Sequence, residues 1–434
     1  MNRRKVWALL TVLGLAATSL LLAFLSLSWN MVGAASDGPA AITDIQSLDT
    51  GFAISETMFA TDGATSGSSL DVCGDVWVIE TVDSAEDVGT STSLVLEPTY
   101  PYTPHISYND VTSDNLKYAR LSGTTWFSQT VITRGGQSTS LALVPTYPHT
   151  PCIAYYDQQG WDLRYTCRDS ITWTIQSIHG GRAGQHGTSL ALEPTYPFRP
   201  HISYYVPWSD IATLFHTYLS GTVWMSGTWA YEQLEPLLSG AGRWCSLALE
   251  PTYPYTPHIS YQDNTNHDLK YARLSGTTWL TETVDSAGDV GWYSSLALDS
   301  SGNPHISYVD STNQTVKYAW LSGTVWLSET VDNRGLSGDY GTGTSLELNQ
   351  ANAPYISYYD DSNDDLKLAY LSGTVWITQT VDSEGKVGQY SSLALNQVGC
   401  PHISYYDATN GDLNYAYLQH VVYLPAIMKN WSPT

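Results

Sequence analysis

Basic side chains are scarce in this 434-residue chain, with 18 Lys and Arg against 41 Asp and Glu, a formal charge of −23. Long-range repulsion of that size argues against a nucleic-acid backbone or an anionic membrane surface as partner. Charged residues of both signs make up only 14% while aromatic residues reach 12%, which is too apolar for a disordered chain. Helical patterning is missing from the body of the chain. Its runs are short, β-branched and aromatic, and are broken by Gly, Pro, Asn and Asp clusters, so they read as strands.

What is present is a repeat. The phrase W-x-x-E-T-V-D…S-L-A-L…P-H-I-S-Y-Y-D…D-L-K-Y-A-x-L-S-G-T occurs seven times, its copies opening at Trp77, Trp126, Trp173, Trp224, Trp279, Trp326 and Trp376, about fifty residues apart. Four strand-like runs per copy form a four-stranded antiparallel meander, and an array with this period is a β-propeller. The expected fold is therefore all-β, with seven blades. The small, apolar S-L-A-L run is placed innermost as strand A, followed outward by B, C and D. With that phase, residues 77–82 are an orphan D strand while the last copy ends at strand C, 414–418. An N-terminal outer strand must then complete the seventh blade and close the ring, which removes an open edge.

The chain ends carry different signals. Arg3, Arg4 and Lys5 precede an apolar run over residues 6–27 and the small residues Gly33, Ala34 and Ala35, the layout of a secretory signal. Residues 1–35 are read as a signal peptide or, uncleaved, as a membrane anchor with the propeller outside the cell. Residues 36–69, rich in Gly, Ser, Thr and Ala, are read as a flexible linker. The propeller takes 70–418. Residues 419–434 form a short apolar tail, and the expected location is secreted or cell-surface.

The phrases P-H-I-S-Y-Y-D at 401–407 and D-L-K-Y-A at 268–272 resemble those of secreted bacterial seven-bladed propeller repeats. In architecture the repeats are similar to fucose-lectin-like propellers and, more distantly, to sialidase-like ones. The sialidase turn signature S-x-D-x-G-x-x-W is absent. The Y-L-P-x-x-x-K-N tail resembles the ends of some secreted bacterial proteins.

In a ring of meanders the D-to-A and B-to-C connections share one face and the A-to-B and C-to-D connections the other. The first face collects aspartates, such as Asp360, Asp361, Asp364 and Asp365. Their oxygens are candidate Ca²⁺ ligands, but no loop has the ordered spacing of a calcium motif, and Asp in such turns ordinarily bonds its own backbone. No cofactor is therefore expected. The second face carries Tyr100, Tyr102, Tyr147, Tyr196, Tyr253 and Tyr255, rings suited to stacking on sugars.

A unique site is expected where the repeat breaks. The largest break is in the third blade, where the B-to-C turn is rewritten and the following D-to-A connection reads as expanded. Trp208, Asp210, Tyr231, Glu232, Glu235, Arg243 and Trp244 are the resulting candidate ligand-binding residues. The first reading is a non-catalytic extracellular binding module for carbohydrate, with a glycan or cell-surface ligand as partner. The alternatives are a glycan-cleaving hydrolase using Asp210 with Glu232 or Glu235, or an adhesion or protein-docking scaffold.

Register within the B-to-C hairpins makes one further statement. Paired residues share a constant index sum, so Cys152 faces Cys167, as His105 faces Arg120 and His258 faces Arg273. Such a pair lies within disulfide reach. Cys73 and Cys400 are expected as a second bridge on one face of the closing blade, leaving Cys245 alone.

Overall fold

The structure, a computed structural model, describes residues 70–133, 135–169, 171–207, 212–237, 239–333 and 343–423. The proposed signal or anchor (1–35), the linker (36–69), residues 424–434 of the tail, and Trp208 and Asp210 lie outside the described residues.

Seven four-stranded antiparallel sheets follow one another around a ring. In the fifth blade strands A to D are Val290–Leu298, Pro304–Asp310, Thr315–Ser322 and Val325–Asp332. The seventh blade is made from both ends of the chain. Val387–Leu395, Pro401–Asp407 and Asp412–Tyr423 supply A, B and C, and Leu70–Asp83 supplies D. Trp77 pairs with Leu418 and Thr81 with Asn414, as the repeat phase requires, and the ladder runs on until Leu70 meets Tyr423.

Each constant phrase of the repeat has a physical assignment. The serine of S-L-A-L accepts a hydrogen bond from the leucine N–H of the next blade, in the order Ser93 to Leu141, Ser140 to Leu190, Ser189 to Leu247, Ser246 to Leu296, Ser295 to Leu346, Ser345 to Leu393 and Ser392 to Leu94, all at 3.0 Å. This inner ring ties blade to blade and satisfies backbone groups away from water. Where strand A of the fifth blade crosses strand C of the fourth, only glycine fits: a Cβ on Gly291, at φ +88°, would lie 2.9 Å from the Leu269 Cα.

Strand B is the most buried strand. All seven of its residues are buried in each of the first four blades, because it lies between neighbouring sheets, and both of its faces must be apolar or satisfied. Its histidine is satisfied by strand C and the A-to-B loop. His105 Nδ1 meets the Tyr118 hydroxyl at 2.5 Å and Nε2 meets Glu97 at 3.2 Å, and burial pushes its pKa down to about 4. Burial lowers the pKa of His258, His305 and His402 in the same way, so these repeated histidines are neutral scaffold groups.

The phrase W-x-x-E-T-V-D joins outer strands. The carboxylate at W+3 accepts from the indole of the next blade, as in Trp126 to Glu80 (2.8 Å), Trp326 to Glu282 (2.9 Å) and Trp376 to Glu329 (2.8 Å). The aspartate at W+6 accepts from the next strand-B tyrosine, as in Tyr108 to Asp83 and Tyr308 to Asp285, both 2.6 Å.

In the third blade the structure corrects the landmark. Trp229, not Trp224, occupies the strand-D position, its Nε1 donating to Gln176 at 3.1 Å. Trp224 lies in the turn after a longer strand C, Thr213–Val223. The break at this point is a lengthened C-to-D hairpin, on the face opposite to the one expected.

Both bridges are formed. Cys152 pairs in register with Cys167, with Cα atoms 4.1 Å apart, and Cys73 joins Cys400 at a Cα separation of 5.3 Å. Cys245 is free and buried.

Candidate functional site

Counting from Trp229, Glu232 and Glu235 fall at W+3 and W+6. They are the third blade's copies of the scaffold carboxylates. Glu232 accepts from the Trp279 indole at 3.0 Å and from His216 at 3.0 Å, and the His216 bond holds it below the usual carboxylate range. Glu235, 8% exposed, accepts from the Tyr261 hydroxyl and pairs with Lys270 at 2.7 Å. Tyr231 donates to the Ile178 carbonyl at 2.6 Å, on the outer strand. Arg243 lies over the Tyr205 ring, 5.9 Å away, and Trp244 is on the innermost strand of the fourth blade. The candidates therefore divide. Tyr231 and Glu232 sit at the perimeter, and Arg243 and Trp244 near the axis.

Trp244 leads to a different concavity. A cavity of about 630 Å³ opens at the axis, walled by the residues just before the S-L-A-L phrase in all seven blades, by Asn109 near the end of the first blade's strand B, and by Val111 and Asp114 of its B-to-C turn. It lies on the face of the D-to-A and B-to-C connections. These meet from blade to blade on that rim, as where the Thr112 hydroxyl accepts from Asp87 N–H (3.1 Å) and Thr312 from Asp289 N–H (2.8 Å).

The wall is built by a repeated local distortion. In five blades the ladder between strands A and B skips just before the S-L-A-L phrase, a β-bulge that re-aims a side chain. There Ser91, Ser138, Trp244, Tyr293 and Tyr390 adopt φ between +49° and +54°. Aligned on the leucine three residues later, the seven equivalent positions are Ser91, Ser138, Gly187, Trp244, Tyr293, Gly343 and Tyr390, and all seven line the cavity. Three are aromatic and four are small, so the ring is lopsided: a rigid aromatic wall faces open space. Trp244 and Tyr293 lie 4.1 Å apart centre to centre, and His186 packs edge-on to Trp244 at 6.1 Å.

One residue further along, Thr92, Thr139, Ser294 and Thr344 add a ring of hydroxyls, which bond to the preceding blade's carbonyls at 2.8 to 3.2 Å. Burial, followed by the nearby Arg243 and Arg182, pushes His186 down to about 4, so it is neutral at physiological pH. Asp114 is the one carboxylate among the described lining residues, and no Lys or Arg is among them. A shallower pocket of about 380 Å³ adjoins the cavity through Gln137 and Gln185; there the Arg182 guanidinium covers the Trp161 ring at 3.8 Å.

The acidic turns are self-satisfied. Asp360 accepts from the Ser362 N–H at 3.1 Å, the Asn363 amide at 2.9 Å and Lys367 Nζ at 2.7 Å. Asp263, Asp310 and Asp407 close their turns in the same way. No group of three or more metal-ligating side chains occurs among the described residues.

Neither a family model nor a curated protein matches the chain in sequence. Among solved structures it is similar to AofleA from Arthrobotrys oligospora (14% identity, 75% of this chain and 93% of that one, TM-score 0.48). It is also similar to a protein of unknown function from Dyadobacter fermentans (10% identity, 80% and 98%, TM-score 0.46) and to polysaccharide lyase Uly1 (11% identity, 79% and 90%, TM-score 0.44). Likeness at that level carries no argument about activity, which has to come from the cavity itself.

Proposed function

We propose that this chain is a non-catalytic carbohydrate-binding module, acting outside the cell, whose ligand enters the axial cavity. One observation carries the reading: the seven equivalent positions around the mouth place aromatic rings in three blades and small residues in four, above a ring of hydroxyls. Aromatic faces stack on the apolar faces of pyranoses while hydroxyls and amides meet their edges. Among its described residues the wall has one carboxylate and a neutral histidine, which suits an uncharged ligand, and no pair of carboxylates of the kind glycoside hydrolysis uses occurs among those described residues. The hydrolase alternative rested on Asp210, Glu232 and Glu235, of which the last two hold the scaffold together. Two disulfides favour an oxidising compartment.

The test is calorimetric titration with neutral oligosaccharides selected on a glycan array. Trp244→Ala and Tyr293→Ala are each expected to weaken binding at least tenfold, with no product formed by the parent protein. Unchanged affinity in both variants, or no glycan bound at all, defeats the proposal.

A further inference from the structure

The face opposite the cavity also departs from sevenfold symmetry. In the fifth to seventh blades the A-to-B loop is short. Asp299 N–H bonds the Asn303 carbonyl, Asn349 the Ala353 carbonyl and Asn396 the Cys400 carbonyl. The left-handed position of each turn is filled by Gly302, Asn352 or Gly399 (φ +81°, +60° and +86°), residues that take this conformation at little cost.

The first four blades use a loop two residues longer, closed by Glu97 N–H to the Thr103 carbonyl, and likewise from Val144, Glu193 and Glu250. Their left-handed position holds Tyr102, His149, Phe198 or Tyr255, at φ +55° to +58°. A bulky residue there costs roughly 1 kcal/mol or more per loop. The short loops show that the fold closes its hairpins without that cost. In each long loop the extra length presents one tyrosine, Tyr100, Tyr147, Tyr196 or Tyr253, 62% to 89% exposed. Each ring stands edge-on against the left-handed aromatic two residues later, at 5.9 to 6.3 Å and 83° to 88°. Three of these supports, Tyr102, His149 and Tyr255, are buried, so the exposed ring is fixed in orientation.

We infer that Tyr100, Tyr147, Tyr196 and Tyr253 form a second, multivalent binding track, and that its ligand is a neutral polysaccharide with repeating pyranose units. Four adjacent blades offer the same ring in succession around the rim, and the third and fourth loops touch, with Thr195 Oγ1 3.1 Å from the Tyr255 hydroxyl. A repeated platform matches a repeated ligand, since each further ring engaged adds avidity without a new kind of contact. The net charge of −23 disfavours acidic chains. Glu97, Glu193 and Glu250 are turned toward His105, His201 and His258, and Arg199, the one cation in these loops, pairs with Glu193 at 3.6 Å. The track shares the carbohydrate chemistry of the axial site but lies on the other face, so the two are separable.

Affinity electrophoresis through gels containing a soluble neutral β-glucan, xylan or galactomannan tests it. At least one polysaccharide is expected to retard the protein. Tyr147→Ala should weaken retention several-fold and the fourfold Tyr→Ala variant by about a hundredfold or more, whereas Tyr147→Phe and Trp244→Ala should leave it unchanged. Because the rings are exposed, the melting temperature of the fourfold variant should stay within a few degrees of the parent, and single variants give the same reading if it does not. Retention that survives the fourfold change, no retention of the parent by any neutral polysaccharide, or a protein ligand captured through these loops in place of glycan would overturn the inference. Loss of oligosaccharide binding in Trp244→Ala, with polysaccharide retention intact, separates the axial reading from this one.

Discussion

Leu94 donates its backbone N–H to Ser392 Oγ at 3.0 Å, although 298 residues separate them. This contact is chemically the same as the six that join consecutive blades, yet it alone in that set spans the seam. Ser392→Ala leaves a buried N–H without its acceptor, at a cost of about 1–3 kcal/mol. Ser246→Ala, inside the ring, should cost about the same in equilibrium denaturation. A much smaller loss for Ser392→Ala would show that the seam is loose.

The two bridges should differ in weight. Cys152 and Cys167 are 15 residues apart and Cys73 and Cys400 are 327 apart. Chain-entropy arguments give about 3 kcal/mol for the shorter loop and up to about 5 kcal/mol for long ones. Replacing both members of the long-range pair by Ser should therefore lower the melting temperature more than replacing both members of the hairpin pair. The reverse order would contradict the view that the N-terminal strand is a clasp.

Glu232→Gln should be nearly silent in stability, because Gln176 already accepts the Trp229 indole from the corresponding position at 3.1 Å. Glu235→Ala should cost about 3–5 kcal/mol, since it strips Lys270 of its buried partner. Neither change should alter oligosaccharide affinity. Glycan turnover abolished by Glu232→Gln would restore the hydrolase reading.

Glu347 stands where Ala142, Ala191, Ala248, Ala297 and Ala394 stand in other blades. Burial pushes its carboxyl up to about 7 from an ordinary 4.5. The folded state therefore holds this proton more tightly than the unfolded chain. The destabilisation is absent below about 4.5, grows as pH rises, and is complete above about 7. Glu347→Ala should raise the melting temperature more at pH 8 than at pH 5. An equal change at both would mean that the carboxyl is solvated.

The blade count, strand phase, closure and the Cys152–Cys167 bridge were legible because each depends on register, and register is periodic in sequence; the Cys73–Cys400 bridge followed from the topology of the closing blade. The third blade misled for the same reason. Trp224 fits the spacing nearly as well as Trp229, and only side-chain partners distinguish a hairpin tryptophan from a strand-D one. Glu232 and Glu235 then looked like insertions although they are repeat positions. The axial ring went unseen because its signal is variability: Ser91 and Trp244 share no chemistry, and what unites them is a left-handed bulge three residues before a constant leucine.

The pairing of Leu70 with Tyr423 also fixes where the described chain leaves the ring. Strand D of the seventh blade begins, and its strand C ends, on the rim that carries the tyrosine loops, in the sector where those loops are short. The two ends of the described chain therefore leave the propeller side by side, on the face opposite the axial mouth, so both chain exits share one corner of the ring.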